Sequence, residues 1–341
     1  MLNFEYFVSN LKSRIKSPIL VILGSPRLVC DLATHFPEFS ISNFQLDLHQ
    51  TQKLEIEAES RNLKIQVFTK PDLWDVPEKY PTVLFPVMKH GERELKLDML
   101  EQSIQVLEQG GMLASLSEYE RDSLLPKWHK KIYGKCSSIP AQDDCSLFWS
   151  FKDTEPTRRR HEIVFHARIK DGPSRVFRSW PGVFSYGRMD DGARALLDCA
   201  EIRENDAVLD LGCGIGTNGI LISHLTNGPI TFVDSNVRAC ELTRINAEAS
   251  ELKRFQVLAS STQVELEPNS QDVVLANPPY YGQSLIVQKF LETSHALLKP
   301  GGRLYLVTKM INEVGAMATQ FYPEATYDET RGYNVIKGIK E

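Results

Sequence analysis

Two stretches far apart in the chain carry the same residues at the same spacing. Leu100-Glu101-x-Ser103, followed by Leu107, Gly110-Gly111 and Leu113, matches Leu291-Glu292-x-Ser294, followed by Leu298, Gly301-Gly302 and Leu304. Agreement in both identity and spacing points to a duplicated domain. Around each copy, segments with strand and helix patterning alternate. The first half reads as a strand at Ile19 to Leu23, an amphipathic stretch through Phe36, and strands at Lys64 to Phe68 and Thr82 to Phe85. The second half reads as strands at Ala207 to Leu211, Ile230 to Asp234, Gln256 to Ala259, Asp272 to Ala276 and Arg303 to Thr308. Such alternation predicts α/β layers built on a mostly parallel sheet, once in each half.

Each half also ends on a hairpin signal. Ile132 to Ser138 and Cys145 to Phe151 flank Pro140-Ala141-Gln142-Asp143-Asp144, and Ala325 to Asp328 and Tyr333 to Ile339 flank Arg331-Gly332. The acid-, Pro- and Arg-rich segment between the halves reads as a linker. The expected organisation is a first domain at 1–151, a basic linker at 152–160 and a second domain at 161–341. A chain of 341 residues, 42% hydrophobic and 24% charged, is long enough for two such cores.

Charge and cysteine content limit the functions open to the chain. A net charge of -5 gives no global support for nucleic-acid binding. The charge is uneven, however, and residues 152–178 hold eight Lys or Arg against four acids. Arg158, Arg159 and Arg160 in that stripe are candidates for phosphate contact, against the simpler reading of a solvated linker. The six cysteines form no Cys-x-x-Cys pair and have no His-rich surroundings, so neither a metal site nor a disulfide framework is expected. The chain does not open on a basic start followed by an apolar core, and its best apolar run, Ile19 to Leu23, is too short to cross a bilayer. A cytoplasmic protein with no membrane partner is the expectation.

The richest local signal is Val208-Leu209-Asp210-Leu211-Gly212-Cys213-Gly214-Ile215-Gly216-Thr217. It reads as a buried strand entering a glycine turn and then a helix. Gly212, Gly214 and Gly216 let the backbone bend sharply and approach a ligand without Cβ clashes. A phosphate-binding P-loop would need a Gly-Lys-Ser/Thr run that is missing here. A dinucleotide turn would need glycine at Thr217 and would set Asp210 beside a pyrophosphate. A carboxylate at that strand end suits an ammonium or sulfonium ligand instead. One strand later Asp234 lies roughly 20 residues past the turn, the position from which a carboxylate accepts ribose hydroxyls. Ser235 beside it, and Ser260 and Ser261 at the end of the third strand, would border the same adenosine ligand. Asp210 or Asp234 alone reads equally well as a cap. Together with the glycines in this order they favour a cofactor site.

A fourth strand delivers Asn277-Pro278-Pro279-Tyr280 to the same sheet edge. The prolines fix φ and donate no N–H, so polar groups of Asn277 and Pro278 can be held facing one small substrate group. An amino nitrogen conjugated to a ring or carbonyl is a poor nucleophile because its lone pair is delocalised. If the Asn277 side-chain oxygen and the Pro278 carbonyl each accept one N–H, the nitrogen can pyramidalise and present that lone pair. Tyr280 can stack on a flat substrate, and Tyr281 reads as a pocket wall. In the first copy Pro86 stands where Asn277 stands in the second, and Leu23-Gly24-Ser25-Pro26 replaces the glycine run. That copy reads as a scaffold without a site.

The glycine turn with Asp210 and Asp234 resembles the class I S-adenosylmethionine-dependent methyltransferases. The Asn-Pro-Pro-Tyr segment resembles those acting on adenine N6, on guanine N2 and on protein glutamine. The glutamine enzymes carry a small helical first domain, unlike the α/β first half here. Two tandem Rossmann-like class I methyltransferase domains, the first degenerate, resemble the bacterial ribosomal RNA guanine-N2 methyltransferases over essentially the whole chain, most strongly from Trp180 onward. Pro181-Gly182-Val183-Phe184-Ser185 is the local stretch most similar to that family. The resemblance implies S-adenosylmethionine as cofactor and N2-methylguanosine as product. It also implies ribosomal RNA, a subunit or an assembly intermediate as partner, the small subunit before the large, and a first domain that helps hold RNA. Phe184 would cover cofactor or substrate. An RNA-binding protein without activity is the alternative of a different class.

Overall fold

The chain, described here by a computed structural model over residues 4–142, 144–155, 157–261, 264–279 and 284–341, divides into two units, Met1–His161 and Glu162–Glu341. The first unit runs α1 Phe4–Leu11, β1 Ile19–Ile22, α2 Pro26–His35, β2 Ile41–Gln45, α3 Leu48–Ser60, β3 Ile65–Thr69, β4 Tyr80–Val87, α4 Arg93–Val106, β5 Leu107–Ser117, α5 Leu125–Tyr133, β6 Ser137–Gln142 and β7 Cys145–Phe151. The second opens on a ribbon, β8 Ile163–Ala167 and β9 Arg175–Ser179, which the sequence reading did not foresee. It continues with α6 Asp191–Cys199, β10 Val208–Leu211, α7 Thr217–Ile222, β11 Ile230–Asp234, α8 Val237–Ala249, β12 Phe255–Ala259, β13 Gln271–Ala276, α9 Ser284–Leu297, β14 Leu298–Thr308, α10 Ile311–Phe321, β15 Thr326–Thr330 and β16 Tyr333–Ile339.

Among the described residues each unit holds a seven-stranded sheet, in the orders β3-β2-β1-β4-β5-β7-β6 and β12-β11-β10-β13-β14-β16-β15. The two orders are the same order. Five strands run parallel and the final pair antiparallel, because a hairpin can close a sheet with a turn whereas parallel neighbours need a crossover. Alternate residues feed opposite faces. In the second unit Val208, Leu275, Tyr305 and Val307 join one core, while Leu209, Leu211, Val274, Ala276, Leu304 and Leu306 join the other. Parallel strands covered on both faces are mostly apolar, hence the near-continuous apolar runs in the sequence.

The duplication extends to details of register. Val83 pairs with Leu113 as Val274 pairs with Leu304. In each unit the lysine after the last strand closes the Gly-Gly turn. Gly110 N donates to Lys152 O at 2.8 Å and Lys152 N to Gly111 O at 2.9 Å, while Gly301 N donates to Lys340 O at 2.7 Å and Lys340 N to Gly302 O at 3.0 Å. Lys152, expected to open the linker, is therefore buried and continues the first sheet.

One expected strand boundary is corrected. Ile132 and Tyr133 end α5 rather than opening a strand, and β6 begins at Ser137. Helix α5 docks through Leu125, Trp128, His129 and Tyr133, and Gly134, at φ 79°, stops it. Burial pushes the His129 imidazole down to about 4; its Nδ1 and Nε2 lie 2.9 Å from Ser150 Oγ and Ser115 Oγ. The second hairpin turns on Arg331 and Gly332, at φ 53° and 72°, the two left-handed residues that a tight two-residue turn requires. The six cysteines carry free thiols. Among the described residues no helix is long and apolar enough to cross a membrane.

Candidate active site

In the second sheet the chain moves outward from β10 to β11 and β12, then returns to the other side of β10 as β13. Where strand order reverses, the loops above neighbouring strands diverge and leave a crevice at the carboxyl edge. Leu211 pairs with Val233 on one side and Ala276 on the other, so the glycine turn, Asp234 and Asn277 emerge side by side.

Gly212, Gly214 and Gly216 all have positive φ, at 70°, 55° and 83°, a path that side chains with a Cβ rarely follow. Gly212 N and Cys213 N both donate to Val233 O, at 2.8 and 2.9 Å, folding the turn back over β11. A Cβ built on Gly214 would meet nothing within 4 Å, whereas at Gly212 it would strike Phe290 at 2.9 Å and at Gly216 Thr243 at 2.9 Å. The middle of the turn thus faces open space, and its two ends are packed.

The two acids differ in role. Asp210 is fully buried, with Oδ1 accepting from Asn218 Nδ2 at 3.3 Å and Oδ2 from Gly219 N at 2.9 Å. It braces the start of α7 and so holds the turn. Burial pushes its carboxyl up to about 7, with the charge of Asp234 adding to the effect. Asp234, partly exposed at the end of β11, accepts from Gly214 N through Oδ2 at 2.8 Å and from Asn236 N through Oδ1 at 2.8 Å. Two backbone amides fix its plane against the open part of the turn. Ser235 follows it, and Ser260, whose N donates to Asp234 O at 2.9 Å, and Ser261 lie beyond the end of β12 in the same neighbourhood.

Helix α8 ties a further loop to this edge. Its N-cap, Asn236, accepts from Arg238 N at 3.0 Å and Ala239 N at 3.2 Å and donates from Nδ2 to Gly182 O at 2.8 Å. The fully buried Arg238 donates to Pro181 O. Pro181–Ser185 is therefore hung from the helix that follows Asp234, and Phe184 stands 56% exposed on it. Neither Asn236 nor Arg238 stood out in the sequence. The cap signal two residues past Asp234 was readable, but its target loop was not.

Asn277 leaves β13 at the opposite lip, followed by buried Pro278 and exposed Pro279. Its Nδ2 donates to Asp190 Oδ2 at 3.1 Å. Tyr280 and Tyr281 lie outside the described residues. Arg158, Arg159 and Arg160 are engaged within the first unit. The guanidiniums of Arg158 and Arg160 lie 5.4 and 4.8 Å from the Trp74 ring centroid, Arg160 donates to Asp72 at 2.9 Å, and Arg159 pairs with Glu101 at 3.8 Å.

The matching edge of the first unit keeps the backbone path without the two acids or the asparagine. By register Leu23, Gln45 and Pro86 correspond to Gly212, Asp234 and Asn277. Leu23 N donates to Phe44 O as Gly212 N does to Val233 O, and Leu23 holds φ 50°, a left-handed value costly for a leucine. Gln45 donates from Nε2 to Gly24 O at 2.8 Å, a donor where the second unit has an acceptor. The crevice there is an apolar pocket, partly open to solvent, lined by Phe7, Val21, Leu28, Pro86 and Leu116 among others.

Comparison with known proteins bears on the family and the fold. Residues 174–337 match the model of the methyltransferase small domain. The chain is 30% identical over 183 residues to the ribosomal RNA small subunit methyltransferase C of Pseudomonas entomophila, covering 51% of this chain and 54% of that protein. It is 32% identical over 185 residues to the uncharacterized protein YbxB of Bacillus subtilis, covering 52% of this chain and 90% of that one. A solved structure of the T. thermophilus 16S rRNA N2 G1207 methyltransferase, in complex with AdoMet and guanosine, superposes with a TM-score of 0.77 at 20% identity, covering 98% of this chain and 92% of that one. This last likeness shows the fold, two tandem methyltransferase-like α/β domains. The chain spans about half the length of the small subunit methyltransferase it matches in sequence. On these matches, the chain belongs to the methyltransferase small domain family.

Proposed function

We propose that the second unit transfers a methyl group from S-adenosylmethionine to the exocyclic N2 of a guanosine in small-subunit ribosomal RNA. The observation that carries this reading is the pairing, across the crevice between β10 and β13, of an amide-fixed Asp234 over an open glycine turn with an oriented Asn277. Asp234 would receive ribose hydroxyls, and the open face of Gly214 leaves room for a ligand to lie against the backbone. S-adenosylmethionine supplies an electrophilic methyl on a sulfonium centre. The Asn277 side-chain oxygen and the Pro278 carbonyl would each accept one N–H of the guanine amino group, turning its lone pair toward that methyl. The N–C bond would form as the methyl's S–C bond breaks, S-adenosylhomocysteine would leave, and one amino proton would pass to solvent water, so the step requires positioning rather than a strong base.

A guanine stacked in a helix cannot reach such a pocket, so the substrate would be flipped out or presented in incompletely assembled RNA. Exposed Phe184, on a loop pinned beside Asp234, suits a covering role over a flat ligand. The first unit would hold RNA, its Arg158 and Arg160 planes over Trp74 offering cationic stacking surface, although Asp72 and Glu101 offset part of that charge. Ribosome assembly sets the compartment, the cytoplasm.

Labelled-methyl transfer to unmodified small subunits and their RNA, followed by nucleoside mass spectrometry, tests the reading. The expected product is N2-methylguanosine in small-subunit RNA. Label in large-subunit RNA, in N6-methyladenosine or in protein glutamine would replace it with the corresponding alternative. Cofactor binding without transfer to any of these would favour a binding-only protein, and no cofactor binding would remove both readings.

A further inference from the structure

We propose that Asp190 is the positioning residue that sets which face of the Asn277 amide meets the substrate. The inference rests on Asn277 being the group that receives the substrate amino hydrogens. Asp190 lies far from Asn277 in sequence, immediately before α6, where it is the N-cap. Its Oδ2 accepts from Ala193 N at 3.0 Å and from Asn277 Nδ2 at 3.1 Å. An ionised carboxylate only accepts, so the Asn277 atom facing it must be the NH2 group. The amide's nitrogen and oxygen diverge from one planar carbon, so with the nitrogen on Asp190 the carbonyl oxygen is turned away from it.

That orientation is the one the chemistry needs. With the amide reversed, its NH2 would face the substrate nitrogen, donor against donor, and the amino hydrogens would lose their acceptor. An asparagine free to flip would spend part of its time in the unproductive orientation. Capping anchors Asp190 itself, since the oxygen that orients Asn277 is bound to the first turn of α6, and α6 packs against β14 and β16 of the same sheet. The first unit has Pro86 at the position of Asn277, where no side-chain amide needs orienting.

Two substitutions separate orientation from capping. Serine is as good an N-cap as aspartate but ends one carbon short of Asn277, whereas asparagine at 190 can accept from both partners through its single oxygen. In the full-length protein, Asp190→Ser should lower kcat for methyl transfer by roughly 10- to 100-fold, the scale of a misoriented reacting group, with the KM for S-adenosylmethionine and the melting temperature nearly unchanged. Asp190→Asn should retain most of the wild-type kcat. Adding Asp190→Ser to Asn277→Ala should cost nothing further, because the two act as one unit. Unchanged kcat in Asp190→Ser, with Asn277→Ala inactive, would overturn the positioning role alone. Equal losses in Asp190→Ser and Asp190→Asn, tracking melting temperature, would reduce Asp190 to a cap and also overturn it. Full turnover in Asn277→Ala would instead remove the catalytic reading on which the proposal stands.

Discussion

The proposed function gives Asp234 and Asn277 different tasks, so their variants should fail in different measurements. Asp234 is held by two backbone amides with its carboxylate against the open glycine turn; on the proposed reading its loss removes charge-assisted hydrogen bonds to the ribose, worth about 1.5–3 kcal/mol. Asp234→Ala should weaken S-adenosylmethionine binding by about 10- to 100-fold, read by calorimetric titration; unchanged affinity would place the ribose elsewhere. On the proposed reading, Asn277 meets the reacting nitrogen rather than the cofactor. Asn277→Ala should lower kcat by about 100-fold or more while the cofactor affinity stays within about twofold, and a variant that binds poorly but turns over normally would reverse the assignment.

At the scale of elements, the junction of β10 and α7 carries a pH signature. Asp210 is enclosed with its carboxyl raised to about 7 by burial, so the fold favours the protonated form. Its contribution to stability is fully present below the ordinary carboxylate range and is lost as pH rises through about 7. Asn218 Oδ1, buried there without a hydrogen-bond partner, would gain a donor if the amide turned toward protonated Asp210. Thermal unfolding of the cofactor-free protein should therefore show wild type losing ground to Asp210→Asn between pH 4 and pH 7 and the gap levelling above that window. A difference independent of pH would contradict a buried neutral carboxyl. The equivalent junction in the first unit, with Val21 for Asp210, keeps the left-handed bend at Leu23 but has no such group. The bend belongs to the crossover from strand to helix, whereas the acids are particular to the second unit.

Across the whole molecule, what could be read from sequence was whatever is local in the chain. The glycine turn, the acid one strand later and Asn-Pro-Pro-Tyr are short runs whose backbone consequences follow from residue type, and the repeat around Gly110-Gly111 and Gly301-Gly302 gave both sheets. Asp190 escaped because its partner lies 87 residues away and nothing near it marks the pairing. Arg238 escaped because a buried arginine serving a distant carbonyl looks, in sequence, like any surface arginine of a helix. Helix α5 was partly misread as strand because Ile132 and Tyr133 suit either, and only the dock of Trp128 and His129 decides. The segment at 152–160 looked like a linker because its composition is polar, yet Lys152, Arg159 and Arg160 are tied into the first unit.

The proposed activity resides in a single working site, in the second unit, acting on guanine N2 of small-subunit ribosomal RNA. Its most direct test is mass spectrometry of ribosomal RNA from cells lacking this protein, complemented with wild type or with Asn277→Ala. One N2-methylguanosine should be missing from the small subunit and should return with wild type but not with the variant. An unchanged set of methylguanosines in the deletion, or full restoration by Asn277→Ala, would contradict the account.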